Sequence, residues 1–398
     1  MQHFLFFLLI TFAATLNGCA SSSPRQQPFN KPILSAQTEI PASLPEAQTS
    51  PYIVSPFDAP NSSANTATFE GHGGHIGLIL PLKSTAFSRA ADTVKEGFMA
   101  ALSIQSKSQH PAVKVYVTDG TPGSILEAYQ LAIQEGSQII VGPLTRNGVT
   151  SIAESGLISV PTIALNIPDN DTALPPNLYF FGISVEGEAR QIARMAFNEG
   201  KMNAVILTAN SPLSKRSQQA FSEEWQHLGG KIVAQYDFTD NVSSYYTLRS
   251  AVAKGDADMI FLAADYTRAR MVRPYLGVPI PTYATSQIYS GKNEASRDID
   301  LENIRFVEMP WLLQPDHPAV MIYPRQEKFI GPDYERLYAL GIDAFRIAEI
   351  FLSSSNRNFV LDGVTGKITL DNGNQFTREL TPAIFHQGIA ASLEATTP

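Results

Sequence analysis

The sequence predicts an α/β protein built from two Rossmann-like lobes, each a parallel sheet flanked by helices. Three observations predict it. Short apolar runs alternate with helix-period segments from residue 75 to residue 285. The runs end on Pro, Gly, Asp or Asn, where strands stop. The later half of the series repeats the order and length of the earlier half. Strands and helices in this rhythm form parallel sheets through right-handed βαβ units.

The first series runs from residue 75 to about 185. Residues 75–80 are an apolar run ended by Pro81, a buried strand. Residues 86–106 have helical spacing, with Ala90, Val94, Phe98, Ala101 and Leu102 on one face. Residues 113–117 are a strand ended by Asp119-Gly120. A helix over 124–134 follows, with Ser124 as N-cap and Gly136 past its end. Residues 139–143 and 161–165 are strands on either side of a helix over 145–156, and residues 179–183 close the series.

The second series places helices at 187–200, 212–228, 244–253 and 267–276. Strands fall at 203–207, 231–236, 258–262 and 281–285. About a hundred residues remain. They hold a strand at 304–309 and a long helix at 334–352, with Leu337, Leu340, Ala344, Ile347 and Phe351 on its apolar face. A hairpin follows, marked by turns at 362–366 and at Asn372-Gly373, and is expected to join lobe two.

Upstream of residue 75 the chain is different material. Residues 4–16 are apolar, too short for a bilayer span, which needs about 20 residues. They have the length of a signal-peptide core. Leu16-Asn17-Gly18-Cys19 follows, with the only cysteine of the chain. It resembles a bacterial lipobox, in which the thiol is acylated and the peptide is cut before the cysteine. Residues 1–18 are thus expected to be a lipoprotein signal peptide and Cys19 the lipidation site. Three acyl chains hold stably where one is marginal. Ala20, rather than Asp, implies export to the outer membrane. Residues 19–74 read as a disordered linker. Pro24, Pro28, Pro32, Pro41, Pro45, Pro51, Pro56 and Pro60 are set among Ser, Gln, Asn and Thr with no apolar period.

The chain has 398 residues, 44% of them hydrophobic and 17% charged, a globular balance. Its net charge of −8 argues against nucleic acid or an anionic lipid surface as a partner. With no second cysteine there is no disulfide framework. No nucleophile elbow, phosphate loop or zinc helix is present. Gly71-His72-Gly73-Gly74-His75 reads as a flexible lead-in, and Asp298, Asp300 and Glu302 as a solvated acidic face. An enzyme is therefore not expected, nor a metal or cofactor.

Function should then lie in a cleft. Open parallel sheets bind ligands beyond the carboxyl ends of their strands. Candidates there are Thr145 and Asn166 in lobe one, and Tyr266, Thr285 and Ser286 in lobe two. Each residue alone can equally be a helix cap. Trp311 is expected to be core.

Several segments together resemble the penicillin-binding-protein activator family, the LppC or LpoA-like group of outer-membrane lipoproteins. They include Ile79-Leu80-Pro81-Leu82, Val141-Gly142-Pro143-Leu144, the run 182–189, Met309-Pro310-Trp311, the run 336–344 and Gly363-Val364-Thr365-Gly366. The resemblance covers about residues 75–390. It implies a type I periplasmic-binding-protein fold, with three inter-lobe crossings near 185, 290 and 355. Lobe one would then hold about 75–185 and 291–355, and lobe two about 186–290 and 356–390. It also implies a non-enzymatic activator, tethered on the periplasmic face of the outer membrane, whose partner is a bifunctional class A penicillin-binding protein. Larger members carry a helical domain where this chain has its Pro-rich linker. The alternative is a solute-binding or sensor module for an amino acid, peptide or muropeptide. Receptors of that kind hold a carboxylate with lobe-one hydroxyls, and here only Thr145 and Asn166 stand in those stretches.

Overall fold

The structure is a computed structural model that describes residues 52–54, 74–105, 111–169, 174–253, 255–277 and 280–393. The segment expected to be a signal peptide, Cys19 and most of the expected linker lie outside the described residues.

The chain opens with β1 (Tyr52–Val54) and β2 (His75–Leu80). It continues through α1 (Ser88–Ile104), β3 (Ala112–Val117), α2 (Pro122–Gln134), β4 (Ser137–Val141), α3 (Arg146–Glu154), β5 (Thr162–Ala164) and β6 (Leu178–Phe180). Strands β2 to β6 form an all-parallel sheet in the order β3-β2-β4-β5-β6. Every residue of β2 is buried, as expected of a strand covered on both faces. One face packs on α1, and the other on α2 and α3 through Ile125, Tyr129, Val149 and Ile152.

Lobe two follows with α4 (Val185–Asn198), β7 (Asn203–Ala209), α5 (Pro212–His227), β8 (Lys231–Phe238), α6 (Val242–Val252), β9 (Met259–Ala263), α7 (Tyr266–Leu276) and β10 (Thr282–Ala284). A 3-10 turn (Ser286–Ile288) and α8 (Ala295–Asp298) lead to β11 (Ile304–Glu308). Then come α9 (Pro310–Leu313), α10 (Pro318–Met321), α11 (Pro332–Ser353), β12 (Phe359–Gly363), β13 (Gly366–Leu370), β14 (Phe376–Glu379), β15 (Thr381–His386) and β16 (Ile389–Ser392). The lobe-two sheet has the order β16-β15-β11-β10-β9-β7-β8, with β15 alone reversed, antiparallel to both its neighbours β11 and β16.

Two expected assignments are overturned. Strand β11 pairs in parallel with β10, so residues 304–308 belong to lobe two rather than lobe one. The β12–β13–β14 meander packs on the lobe-one core instead of lobe two. Phe359, Leu361, Ile368 and Phe376 bury there beside Phe351. The tie is a carboxylate on α11. Asp343, fully buried, accepts N–H bonds from Val364 (3.1 Å) and Thr365 (2.7 Å), and the Thr365 hydroxyl donates to it as well (2.7 Å). Only β15 and β16 return to lobe two. The first crossing therefore falls at 181–184, and the other two at Met309 and at Leu380 rather than near 290 and 355. Within the segment read as linker, β1 pairs in parallel with β12, Tyr52 opposite Phe359.

Helix α11 is buried along most of its length and packs against α1. Two glycines set their approach. A Cβ on Gly97 would stand 1.9 Å from the Tyr338 carbonyl oxygen, and one on Gly341 would stand 2.1 Å from that of Val94. Each helix thus presses its glycine onto the other's backbone. No described helix is long and apolar enough to cross a membrane.

Candidate functional site

The three crossings converge on buried charge. Arg336, in the second turn of α11, reaches from lobe one into the lobe-two sheet. Its Nη2 donates to Glu308 Oε2 (2.6 Å) at the end of β11 and to the Ser286 carbonyl (2.9 Å), while its Nε donates to Glu308 Oε1 (3.3 Å). The Ser286 N–H donates to Glu188 Oε2 on α4 (3.0 Å). Arg378, beside the third crossing, donates to the Gly182 carbonyl (3.2 Å) at the first. Arg336 is 3% exposed, Glu308 0% and Glu188 1%.

Burial raises the Glu188 carboxyl above the usual carboxylate range, against the pull of Arg336 and Arg378. Burial alone would lower the Arg336 guanidinium, but Glu308 more than offsets it, and its pKa is raised. Removing one partner of such a pair strands the other charge in the interior. This cluster joins the lobes at all three crossings.

Of the residues expected in a cleft, Ser286 is therefore misplaced. It is fully buried in this hinge, bonded through its backbone. Thr145 caps α3, its hydroxyl accepting the Gly148 N–H (3.3 Å). Asn166 is engaged at both ends: its Nδ2 donates to the Leu144 carbonyl (3.0 Å) and its Oδ1 accepts the Ile167 N–H (3.0 Å). The Tyr266 hydroxyl donates to Asp298 Oδ1 (2.7 Å), and burial raises its pKa. Asp298 is accordingly fully buried rather than part of a solvated acidic face. Trp311 is core, as expected, its indole N–H donating to Glu335 (2.8 Å). His75 is also buried and meets the hydroxyls of Tyr116 and Ser137, so it is the first rung of β2 rather than flexible lead-in.

Thr285 lines a pocket. It is a space of about 90 Å³ at the carboxyl end of the lobe-two sheet, bounded by Val185, Leu213, Ala264, Asp265 and Gln287 together with Ser211, Ser214 and Ser217. A larger open groove, about 350 Å³, lies along the first turns of α1 against the 326–330 segment. Its charged groups are occupied. Arg89 stacks on Tyr334 (4.1 Å), Asp92 pairs with Lys95 (2.7 Å), and Glu96 accepts from Gln326 (2.6 Å). No group of three or more His, Cys, Asp or Glu that could hold a metal ion occurs among the described residues.

Sequence reasoning missed Glu188, Arg336, Ser214 and Ser217. The signal for the serines was present: Ser211, Ser214 and Ser217 recur at helical spacing just inside a Ser-Pro helix start.

The family model described as "LppC putative lipoprotein" matches residues 69–388. The chain belongs to the LppC family. Two LppC relatives, both named penicillin-binding protein activator LpoA, show the extent of the similarity. The protein of Pantoea ananatis is 26% identical, over 94% of this chain and 57% of its own length. That of Mannheimia succiniciproducens is 29% identical, over 77% of this chain and 53% of its own. This LppC chain thus spans little more than half the length of those relatives. Among solved structures, a "putative branched-chain amino acid ABC transporter" from Chromobacterium violaceum is 36% identical, with TM-score 0.68, over 78% of this chain and 99% of that one. The LpoA C-domain of Haemophilus influenzae, described as a regulator of PBP1A, is 24% identical with TM-score 0.67, over 80% and 99%. The type I periplasmic-binding-protein fold is shared by both.

Proposed function

We propose that this chain is a non-catalytic activator of cell-wall synthesis, a lipoprotein held at the outer membrane through Cys19 that binds a class A penicillin-binding protein. The similarity to the LpoA proteins supports this reading across the two-lobed domain. The observation that carries it is that similarity, 26–29% identity over 77–94% of this chain. Arg336 of lobe one, buried against Glu308 and Ser286 of lobe two, ties the lobes where they cross, so a partner would meet them as one connected body.

The test is direct. The full-length protein in detergent is mixed with purified class A penicillin-binding proteins of the same organism. Saturable binding together with faster peptide cross-linking is the expected result. Failure to bind any of them would refute the activator role. Separately, a Cys19→Ser variant should lose acyl labelling and leave the membrane fraction. Unchanged labelling would exclude Cys19 as the lipid site.

A further inference from the structure

We propose that the lobe-two pocket at the start of α5 binds a carboxylate group. The inference is independent of the partner reading, since it concerns one lobe and a small ligand.

Three hydroxyls line the same face of the first two turns of α5. Ser211 is the N-cap: its Oγ accepts the Ser214 N–H (3.1 Å) and donates to Ser214 Oγ (2.8 Å). Ser214, having accepted that bond, keeps its own proton to give onward. Ser217 is 2% exposed, and its Oγ is buried with no hydrogen-bond partner among the described residues. A helix-borne serine can quiet its hydroxyl by donating to the carbonyl four residues back. Ser222 does so in this same helix, and Ser217 does not. A buried hydroxyl left in that state is costly unless something accepts from it.

The pocket identifies what would accept. The donors lie at the positive end of a sixteen-residue helix, whose macrodipole is worth roughly half an elementary charge. Leu213 follows Pro212 in the first turn, and its N–H has no acceptor within the helix. No Lys or Arg side chain lines the space. A single negative charge is therefore matched, whereas a dianion such as hydrogen phosphate would be under-compensated. The one lining carboxylate, Asp265, already caps α7 through the Arg268 N–H (3.0 Å) and pairs with the Arg268 guanidinium. That guanidinium is shared with Asp240, so the Asp265 charge is offset only in part, which favours a single negative charge turned toward the serines. The volume of about 90 Å³ is close to three waters, at roughly 30 Å³ each in the liquid. That admits a carboxylate and one or two carbons, which Val185, Leu213 and Ala264 would cover. The source is a small free carboxylate or the end of a peptide chain.

The experiment titrates the full-length protein in detergent by calorimetry and thermal shift. The probes are sodium acetate, glycine, and dialanine with a free or an amidated carboxyl end. Chloride and inorganic phosphate at equal ionic strength are the controls. Saturable binding of acetate or glycine is expected for a free carboxylate. Binding of free-ended dialanine, and not its amide, is expected for a peptide end. Ser217→Ala should weaken either about tenfold while leaving the melting temperature of the unliganded protein unchanged or higher, because it deletes an unpaired hydroxyl. Ser214→Ala should weaken binding similarly and decides the matter if Ser217→Ala fails to fold. The proposal is overturned if no probe saturates, if chloride or phosphate does as well, or if neither substitution changes the affinity.

Discussion

The two lobes share one architecture, and they treat the carboxyl ends of their strands differently. In lobe one the candidate polar side chains are spent on the fold. Thr145 caps a helix, Asn166 bridges two backbone groups, and the charges of the α1 groove are paired. Thr118 Oγ1 is buried there without a partner but lines neither pocket. In lobe two the corresponding edge keeps a row of serine hydroxyls facing a small space, with one of them unmatched. Residue type at a strand end therefore does not separate a cap from a ligand donor. What separates them is whether the local backbone has already claimed the side chain.

Substitutions at three positions bear on this contrast, and the largest effect is expected where the lobes meet. Arg336→Met leaves Glu308 buried without its counter-charge and should cost about 3–5 kcal/mol in urea unfolding. It should also loosen the lobes, seen as faster proteolysis at the 309 or 380 crossing. A loss below about 1 kcal/mol would mean that the hinge is not held by this pair. The next tests whether lobe one's edge is purely structural. Thr145→Ala should cost about 1 kcal/mol as a lost cap, and Thr145→Asn should restore most of it. An unchanged melting temperature would instead free Thr145 for a ligand.

The smallest effect is one of pH. Burial raises the folded-state pKa of Glu188, so between its unfolded and folded values the native state holds more protons than the unfolded chain. Its contribution to stability thus improves as pH falls from the folded value toward about 4.5, and it worsens as pH rises. Glu188→Gln should flatten that slope in denaturation curves collected from pH 7 to pH 5. An identical slope in both proteins would place the titration elsewhere, Asp343 being raised by burial as well.

The alternating core was legible because buried parallel strands are apolar throughout and end on turn residues. Three things were not legible, each for a physical reason. The destination of the 359–379 meander depends on Asp343 grasping a turn more than twenty residues away, a contact no local pattern announces. Strand β15 carries Pro382, which demotes a strand in a reading by residue type; it is tolerated opposite Val307 in an antiparallel pair. The hinge consists of Glu and Arg at positions where charge ordinarily means surface, and only burial shows otherwise. Among the site candidates, Thr285 lines the pocket, and Ser217 lay nearly two turns beyond the strand-end rule.

The pairing of β1 with β12 has a mechanical side. A pull on the chain upstream of Tyr52 meets three rungs of parallel ladder, Tyr52 to Val54 against Phe359 to Leu361, before it reaches the lobe-one core. Force directed along such a strand loads all its rungs together in shear. Parting β1 from β12 would leave β12 paired with β13 alone and bare a sheet edge that can accept another strand.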